Sequence, residues 1–462
     1  MTIAEFLQDP RACSVAFLGL GRANRAVLDY LLARGGTATV YAELPVPHEE
    51  RVAYEARGIS FCIAPFPRAL QAQVIVRSPG VRPDIPAIKS ALAAGACLTS
   101  ESELFMALAP CPVIGITGSD GKTTTASLAA ALLQAAGVRA WLGGNNGTPL
   151  LPRVAEMAPG DVAVLELSSF QLMTLQTPPA IAVITNITPN HLNWHVDMAE
   201  YIAAKRRIFA ADTRLVLNAE NSVTRELGKE RRTGKTLFFS AKAIAPDFAR
   251  DIVPVSGAAY ACEGTVYIAE HGRRQSFACL DAFHLAGKHN LENLLAAMAA
   301  TAPHLTPAAP RAALRDFWGV PHRLQYVGTV SGVKYYNSSI DTSPTRTAAA
   351  LAALDATPIV IAGGRGKGIS FAPLGEVLCA RAKAVYLYGE AAGEIAAVLG
   401  EKLPHAVYPR FAEAFLAATR AATVGDTVLL SPACTAFGEF RDFEERGEIF
   451  CRMVAELAAE RK

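Results

Sequence analysis

The sequence lacks a charge imbalance, a membrane-length apolar run and any patterned cysteine pair, and each absence removes a class of protein. Its 44 basic and 42 acidic side chains leave a formal net charge of +2 over 462 residues. So even a balance gives no electrostatic reason to bind nucleic acid or an acidic membrane surface. No apolar stretch reaches the ~18 residues of a spanning helix. The first ten residues carry neither a basic n-region nor an apolar h-region, so no secretory signal is expected. The nine cysteines are scattered without Cys-x-x-Cys spacing. An odd, unpatterned set suits a reducing cytoplasm better than a disulfide framework or a zinc site. Low-complexity tracts and short repeats are also missing. What is present is an apolar fraction of 51%, ample for large cores, and a length that predicts about three domains at roughly 150 residues each.

One stretch organises the rest. Residues 113–117 have β character, Gly118-Ser-Asp-Gly121 follows, and Lys122-Thr-Thr124 opens an Ala/Leu-rich run to Gly137. That order reads strand, tight loop, helix. Glycines let the loop turn its N–H groups toward one point, and the helix start adds free N–H groups and the positive end of its dipole. A lysine there neutralises terminal phosphates, and a threonine hydroxyl can ligate magnesium. The spacing is Gly-x-x-Gly-x-x-Gly-Lys-Thr, with Ile116 where the standard form has its first glycine, so the match is a variant P-loop. Gly118, Ser119, Asp120, Gly121, Lys122, Thr123 and Thr124 are the residues expected around ATP phosphates.

Before it, residues 14–18 read as an apolar strand, Gly19-Leu-Gly-Arg-Ala-Asn24 as a turn into a helix, and residues 37–41 as a second strand. This is a Rossmann-like start, with Asn24 where a third glycine would stand and Glu43 where a ribose-binding acid can sit. An ordinary tight turn explains the same residues. Residues 74–77 form a later strand ending in Ser78-Pro-Gly80, on the same expected edge. After the P-loop helix, residues 141–149 are too rich in Gly and Asn to be core. Glu166 ends the next buried-type strand, where an unpaired carboxylate is costly, so it reads as a magnesium ligand or a loop cap. Residues 181–187 form another strand, leading to His191 and His195 at i, i+4 spacing. No zinc-helix motif accompanies the pair, and His191 reads as a polar group at a strand end. Lys205-Arg-Arg207 lies near the end of a helix from residue 198, where it reads as a solvated basic face. Residues 240–280 look like a small β appendage. Asn290 and Asn293, at a helix start, either brace that helix or reach a nucleotide base.

The last 140 residues alternate strand and helix, predicting a third α/β domain with a parallel sheet behind an antiparallel ribbon at residues 321–337. Strand 359–362 ends in Gly363-Gly-Arg-Gly-Lys-Gly368, where Lys367 is either a solvated loop cation or a carboxylate partner. Cys434, in Ser431-Pro-Ala-Cys434, lacks a paired base and reads as a small apolar loop residue.

Taken in order, these motifs resemble the Mur ligases of peptidoglycan synthesis. The residues that carry the resemblance are Gly115-Ile-Thr-Gly-Ser-Asp-Gly-Lys-Thr123, Gly143-Gly-Asn145, Leu165-Glu-Leu-Ser-Ser-Phe-Gln-Leu172, Asn186-Ile-Thr188 with His191, Ala204-Lys-Arg206, His289-Asn290, Pro321-His-Arg323, and Leu430-Ser-Pro-Ala-Cys434 with Phe443-Glu-Glu-Arg-Gly447. The third and last of these point to the glutamate-adding member. The resemblance implies three domains: 1–103, Rossmann-like and UDP-binding; 104–319, a central P-loop ATPase carrying the β appendage; and 320–462, a C-terminal Rossmann-like α/β domain for glutamate. It implies an ATP-dependent ligase joining glutamate to UDP-N-acetylmuramoyl-L-alanine through an acyl phosphate, in the cytoplasm and as a monomer. It implies two magnesium ions, held by Thr123, Glu166, His191 and a carbamylated Lys205, with Lys122, His191 and Lys205 as the catalytic set. Nucleotide contacts fall on Asn290, Asn293, Arg323 and Asp341. Contacts to the UDP-muramoyl substrate fall on Gly19, Leu20, Gly21, Arg22, Ala23, Asn24, Glu43, Ser78, Gly80, Asn145 and Ser168. Glutamate contacts fall on Thr342, Lys367, Ala436, Phe437 and Phe443. The chain departs from the family at Ser338, which replaces a nucleotide-holding aspartate whose role Asp341 would take, at Ile340, which replaces a lysine, and at Ala436, which replaces a serine. These departures leave the D or L preference for glutamate open. Competing readings are a folylpolyglutamate synthase-like ligase, a P-loop switch protein and a nicotinamide dehydrogenase.

Overall fold

Runs of four or five apolar residues flanked by helices build parallel sheets covered on both faces, because a strand buried on two sides has no polar face to alternate with. The computed structural model describes residues 2–145, 147–230, 235–242, 257–270, 272–285 and 287–460, and it contains three sheets. The first is wholly parallel, ordered Ile59–Ile63, Ala38–Ala42, Val15–Leu18, Val74–Arg77, Cys97–Thr99. The chain runs outward from Val15–Leu18 on one side, then returns to its other side. The loops after Val15–Leu18 and Val74–Arg77 therefore meet at a switch point, where such sheets bind ligands.

The second sheet is ordered Arg273–Ala278, Thr265–Glu270, Gly257–Cys262, Thr236–Ser240, Arg214–Asn218, Ile181–Ile184, Val113–Thr117, Val162–Glu166, Ala140–Gly144. Its core strands, Val113–Thr117, Val162–Glu166 and Ile181–Ile184, are buried along their whole length. Helices Lys122–Ala135 and Lys288–Thr301 pack on this sheet with an almost fully buried Ala/Leu/Met face. The short strands expected as a β appendage prolong this sheet at its edge. Gly257–Cys262 pairs in parallel with Thr236–Ser240, and the next two strands continue the same sheet as an antiparallel meander. Short strands between turns look alike in sequence whether they stand alone or prolong a sheet. Residues 243–256 of that stretch lie outside the described residues.

The third sheet is ordered Gln325–Val330, Val333–Asn337, Thr427–Leu430, Ile359–Gly363, Ala384–Tyr388, His405–Tyr408. Only its first pair is antiparallel. The chain divides into compact units Met1–Phe317, holding the first two sheets, and Trp318–Lys462, holding the third. The helix Glu101–Leu108 spans the junction between the first two sheets. Among the described residues, no helix is long and apolar enough to cross a membrane, and all nine cysteines are free thiols.

Candidate active site

Strand order decides what meets the P-loop. Val113–Thr117 lies between Val162–Glu166 and Ile181–Ile184, with Ile116 opposite Glu166 and Thr117 opposite Ile184. Neighbouring strands are about 4.8 Å apart, so the three loops leaving their carboxyl ends share one small region. Helix Lys122–Ala135 starts directly after Gly121 with no side-chain cap, which leaves its first N–H groups for a ligand. The loop is braced from the third strand. Ser119 Oγ donates to Thr188 O at 2.8 Å, Asp120 N–H donates to Asn186 Oδ1 at 3.0 Å, and Thr185 Oγ1 donates to Asp120 O at 2.6 Å. Lys122 Nζ folds onto the loop, donating to Gly118 O at 3.0 Å and Ser119 O at 2.9 Å. Gly121 has φ 80°, and a Cβ there would come within 2.2 Å of Asn293 Oδ1. Asn293 is itself buried and accepts the Thr125 hydroxyl at 3.2 Å. Asn293 thus packs against the P-loop and the helix that follows it.

The catalytic and metal candidates gather at this strand end. Glu166 is buried; its Oε1 accepts Asn145 Nδ2 at 2.7 Å, and its Oε2 has no hydrogen-bond partner. Lys205 is buried on helix Met198–Arg206 with its Nζ 2.8 Å from Gly118 O and 3.2 Å from Thr117 Oγ1. That corrects the solvated-face reading for Lys205, although Arg206 and Arg207 are exposed. Burial first, and then the charge on Lys122, push the Lys205 amine well below an ordinary lysine, against Asp120 and Glu166. His191 is pushed down by burial and then by the charges of Lys122 and Lys205, which favours a neutral imidazole. His195 is buried with both ring nitrogens hydrogen-bonded, to Glu200 and Ser169, so neither is left for a ligand shared with His191. Among the described residues, no group of three His, Cys, Asp or Glu side chains forms a metal cluster. The orphan carboxylate oxygen of Glu166 nonetheless suits magnesium, which takes one or two carboxylates plus substrate phosphate oxygens rather than an all-protein cage.

The first sheet brings its two predicted loops together. Gly19 has φ 80°, and a Cβ there would stand 3.0 Å from Ser78 Cβ, so the turn can close against its neighbour only as glycine. A 240 Å3 cavity is lined by Gly21, Arg22, Ala23, Ser78, Asn145 and Gln171, among others. It thus joins the first-sheet turns to the loop that touches Glu166. Leu20 and Ala23 are half-buried on this turn, while Gly80 and Glu43 are exposed, Glu43 just past Ala38–Ala42. Asn24 is turned away from the cavity: it is fully buried, and its Nδ2 donates to Gly19 O at 2.8 Å. It shapes the turn, and a third glycine would leave that carbonyl unpaired. Ser168 is engaged in a capping box with Gln171.

Within the unit Trp318–Lys462, Lys367 Nζ donates to Thr342 Oγ1 at 3.0 Å, bringing two predicted glutamate contacts together. Phe443 begins the last helix and its carbonyl accepts the Ser339 hydroxyl at 2.8 Å. Ala436 is buried, whereas Phe437 and Arg323 are exposed. The Cys434 thiol is fully buried and pushed up to about 12 by burial, as an apolar loop residue would be. Asp341 faces inward, with its Oδ2 2.8 Å from the Ser431 hydroxyl, and Ser338 accepts Leu324 N–H at 3.1 Å. Burial, opposed by hydrogen bonds from Ser338 and Ser431, lifts Asp341 to about 6. The folded state therefore holds this proton more tightly than the unfolded chain. The stability it contributes is present near pH 4 and is lost as pH rises through about 6, on the order of 2–3 kcal/mol. Asp341→Asn is expected to raise the melting temperature at pH 8 and to have little effect near pH 3.5, below the unfolded-chain value, by calorimetry. An equal shift at both values would assign the effect to packing.

Sequence reasoning passed over Arg77, Arg82, Glu200, Tyr201 and Arg446. Arg77 and Arg446 are fully buried without a carboxylate partner and donate to neutral acceptors, Arg77 to Phe170 O at 2.6 Å and Arg446 to Ser339 O at 2.9 Å. An arginine closing a buried-type strand, as in Val-Ile-Val-Arg77, was the available signal.

Fold and site together define a nucleotide-dependent P-loop enzyme whose phosphate loop is ringed by a carboxylate, an imidazole and a buried amine. Family models place it further: one described as the Mur ligase middle domain matches residues 116–301, and one described as the Mur ligase glutamate ligase domain matches residues 322–434. UDP-N-acetylmuramoylalanine–D-glutamate ligase of Ruminiclostridium cellulolyticum is 36% identical, covering 98% of this chain and 99% of its own. The protein of the same name from Symbiobacterium thermophilum is 39% identical over 96% and 98%. In three dimensions the chain is similar to UDP-N-acetylmuramate-alanine ligase MurC from Thermotoga maritima, with TM-score 0.53, 18% identity, and 96% and 99% coverage. It is also similar to E. coli FolC in complex with ADP, with TM-score 0.51, 16% identity, and 77% and 92% coverage. The chain belongs to the Mur ligase family, and it is an ATP-dependent ligase.

Proposed function

We propose that this enzyme joins D-glutamate to UDP-N-acetylmuramoyl-L-alanine in the cytoplasm, as a monomer, making a peptidoglycan precursor. The observation that carries this reading is the meeting of Lys122, Lys205, His191 and the unpartnered oxygen of Glu166 at one strand end, beside a cavity bounded by the first-sheet turns. The domain roles follow: 1–103 for the uridine diphosphate, 104–319 for ATP, and 320–462 for glutamate.

A free carboxylate does not form an amide at neutral pH, because oxide is a poor leaving group. The alanyl carboxylate oxygen would bond to the γ-phosphorus of ATP as the bond to the β-bridging oxygen breaks, releasing ADP. The glutamate amine would then attack the acyl carbon, lose a proton, and expel phosphate. Lys122 and the N–H groups of Gly118 to Thr124 would hold the γ-phosphate where charge builds up. Thr123 and Glu166 would hold one magnesium ion, and His191 with carbamylated Lys205 a second. Bound there, magnesium neutralises phosphate charge and orients the oxygens in line. A buried amine without a carboxylate partner, such as Lys205, is suited to react with carbon dioxide, because its neutral form is the nucleophile. Asn145 would reach the muramoyl-alanine end, and Lys367 with Thr342 a glutamate carboxylate.

The test is ADP release with UDP-N-acetylmuramoyl-L-alanine and each glutamate isomer. Release with the D isomer at least a hundredfold above the L isomer is expected. Release only with a folate-type acceptor would favour the folylpolyglutamate synthase-like reading instead.

A further inference from the structure

His191 sits in a backbone conformation that has to be enforced. Its φ is 56°, the left-handed region that non-glycine residues enter at a cost. What holds it is the turn that follows, since His191 O accepts the N–H groups of Trp194 at 3.0 Å and His195 at 2.9 Å. The His195 ring is buried and bonded at both nitrogens, Nδ1 to Glu200 Oε2 at 3.1 Å and Nε2 to Ser169 Oγ at 2.9 Å. A carboxylate can only accept, so Nδ1 carries the hydrogen and Nε2 accepts the Ser169 hydroxyl. Glu200 in turn accepts Arg82 Nη2 at 2.8 Å and Val196 N–H at 3.0 Å. Arg82 holds its carboxyl well below the usual carboxylate range, at about 2.

The same cluster reaches both substrate loops. Arg82 Nη1 donates to Trp194 O at 2.7 Å, and Trp194 Nε1 donates to Gly80 O at 3.2 Å. The loop carrying Ser78 and Gly80 is thereby fastened to the His191 turn. On the other side, the His195 ring meets Tyr201 edge-on at 5.2 Å, and the Tyr201 hydroxyl lies 3.0 Å from Ser119 Oγ in the P-loop. The Tyr201 ring also lies 4.7 Å from Lys205 Nζ. Phe170 closes the cluster, edge-on to His191 at 5.0 Å and stacked on His195 at 5.6 Å.

We propose that Arg82, Glu200, His195 and Tyr201 are positioning residues, linked by hydrogen bonds and one ring contact, that set the place of His191 and Ser119 relative to the Ser78–Gly80 loop and so align the nucleotide-sugar substrate with ATP. The inference rests on the proposed function only in taking those two loops as the substrate sites. None of the four side chains need touch a reacting atom. Misplacement of about 1 Å is enough to cost on the order of a hundredfold in rate.

The test uses the full-length enzyme with ATP, UDP-N-acetylmuramoyl-L-alanine and D-glutamate. Glu200→Gln is expected to lower kcat ten- to a hundredfold while KM for ATP stays within threefold, because the P-loop N–H groups and Lys122 remain. Tyr201→Phe keeps the packing and loses only the hydroxyl, and is expected to lower kcat three- to tenfold. His195→Asn keeps a donor near the Nδ1 position and is expected to recover part of the kcat lost in His195→Ala. Arg82→Met combined with Glu200→Gln is expected to be less than additive. Unchanged kcat in both Glu200→Gln and Tyr201→Phe would overturn the proposal. So would losses that follow the folded fraction measured by calorimetry at the assay temperature. If Lys122→Ala is inactive while these variants are fully active, only this inference falls; if Lys122→Ala keeps its activity, the proposed function falls.

Discussion

Lys122→Ala is expected to lower ADP formation by a hundred- to a thousandfold while leaving the melting temperature within a few degrees. The side chain is half-exposed, and its Nζ donates to the loop carbonyls of Gly118 and Ser119, so truncation opens no cavity in the core. Its charge matters when the γ-phosphoryl oxygens gain negative charge in the transition state. A preorganised donor at such a point is worth roughly 3–4 kcal/mol, which is a factor of about 150 to 900. Lys122→Arg should not restore the rate, because a planar fork does not fit where a compact ammonium does. Coupled ADP assay and calorimetry on the same preparations check both halves. Turnover within tenfold of the parent would remove the P-loop lysine from the reaction.

Lys205→Ala should cost a hundredfold or more in kcat, with partial return in millimolar formate or acetate. The lysine is 1% exposed, so truncation leaves a polar space beside Thr117 Oγ1 and Gly118 O rather than a surface gap. A small carboxylate entering that space would supply the anionic oxygens that a carbamate supplies in the parent. Chloride at equal ionic strength should not rescue. Absence of rescue, together with normal parent activity in carbonate-free buffer, would mean that Lys205 acts as an ammonium brace for the P-loop.

The P-loop, the apolar strands around it and the parallel α/β class were legible because each is local. A glycine loop before a helix and a run of Val, Ile and Leu say the same thing in any context. Cys97–Thr99 and His405–Tyr408 were not legible, since three or four residues carry no period and owe their strand conformation to neighbours already in the sheet. Glu166 and His191 could be named as candidates from their places at strand ends. The meaning of Lys205 could not, because Lys-Arg-Arg on an isolated helix is indistinguishable from a solvated face.

By itself the sequence determined that the chain folds as α/β sheets, that one loop has the pattern of a phosphate cradle, and which family its motifs resemble. Only the tertiary structure decided that Lys205 is buried against Gly118 and that Asn24, Asn293 and Asp341 point inward. It also decided that Arg82, Glu200 and His195 bind one loop to another. The reason is strand order: placing Val113–Thr117 between two strands that follow it much later in the chain brings together side chains far apart in sequence, such as Thr117 and Lys205, 88 residues apart, and no local pattern encodes which neighbours a strand will choose.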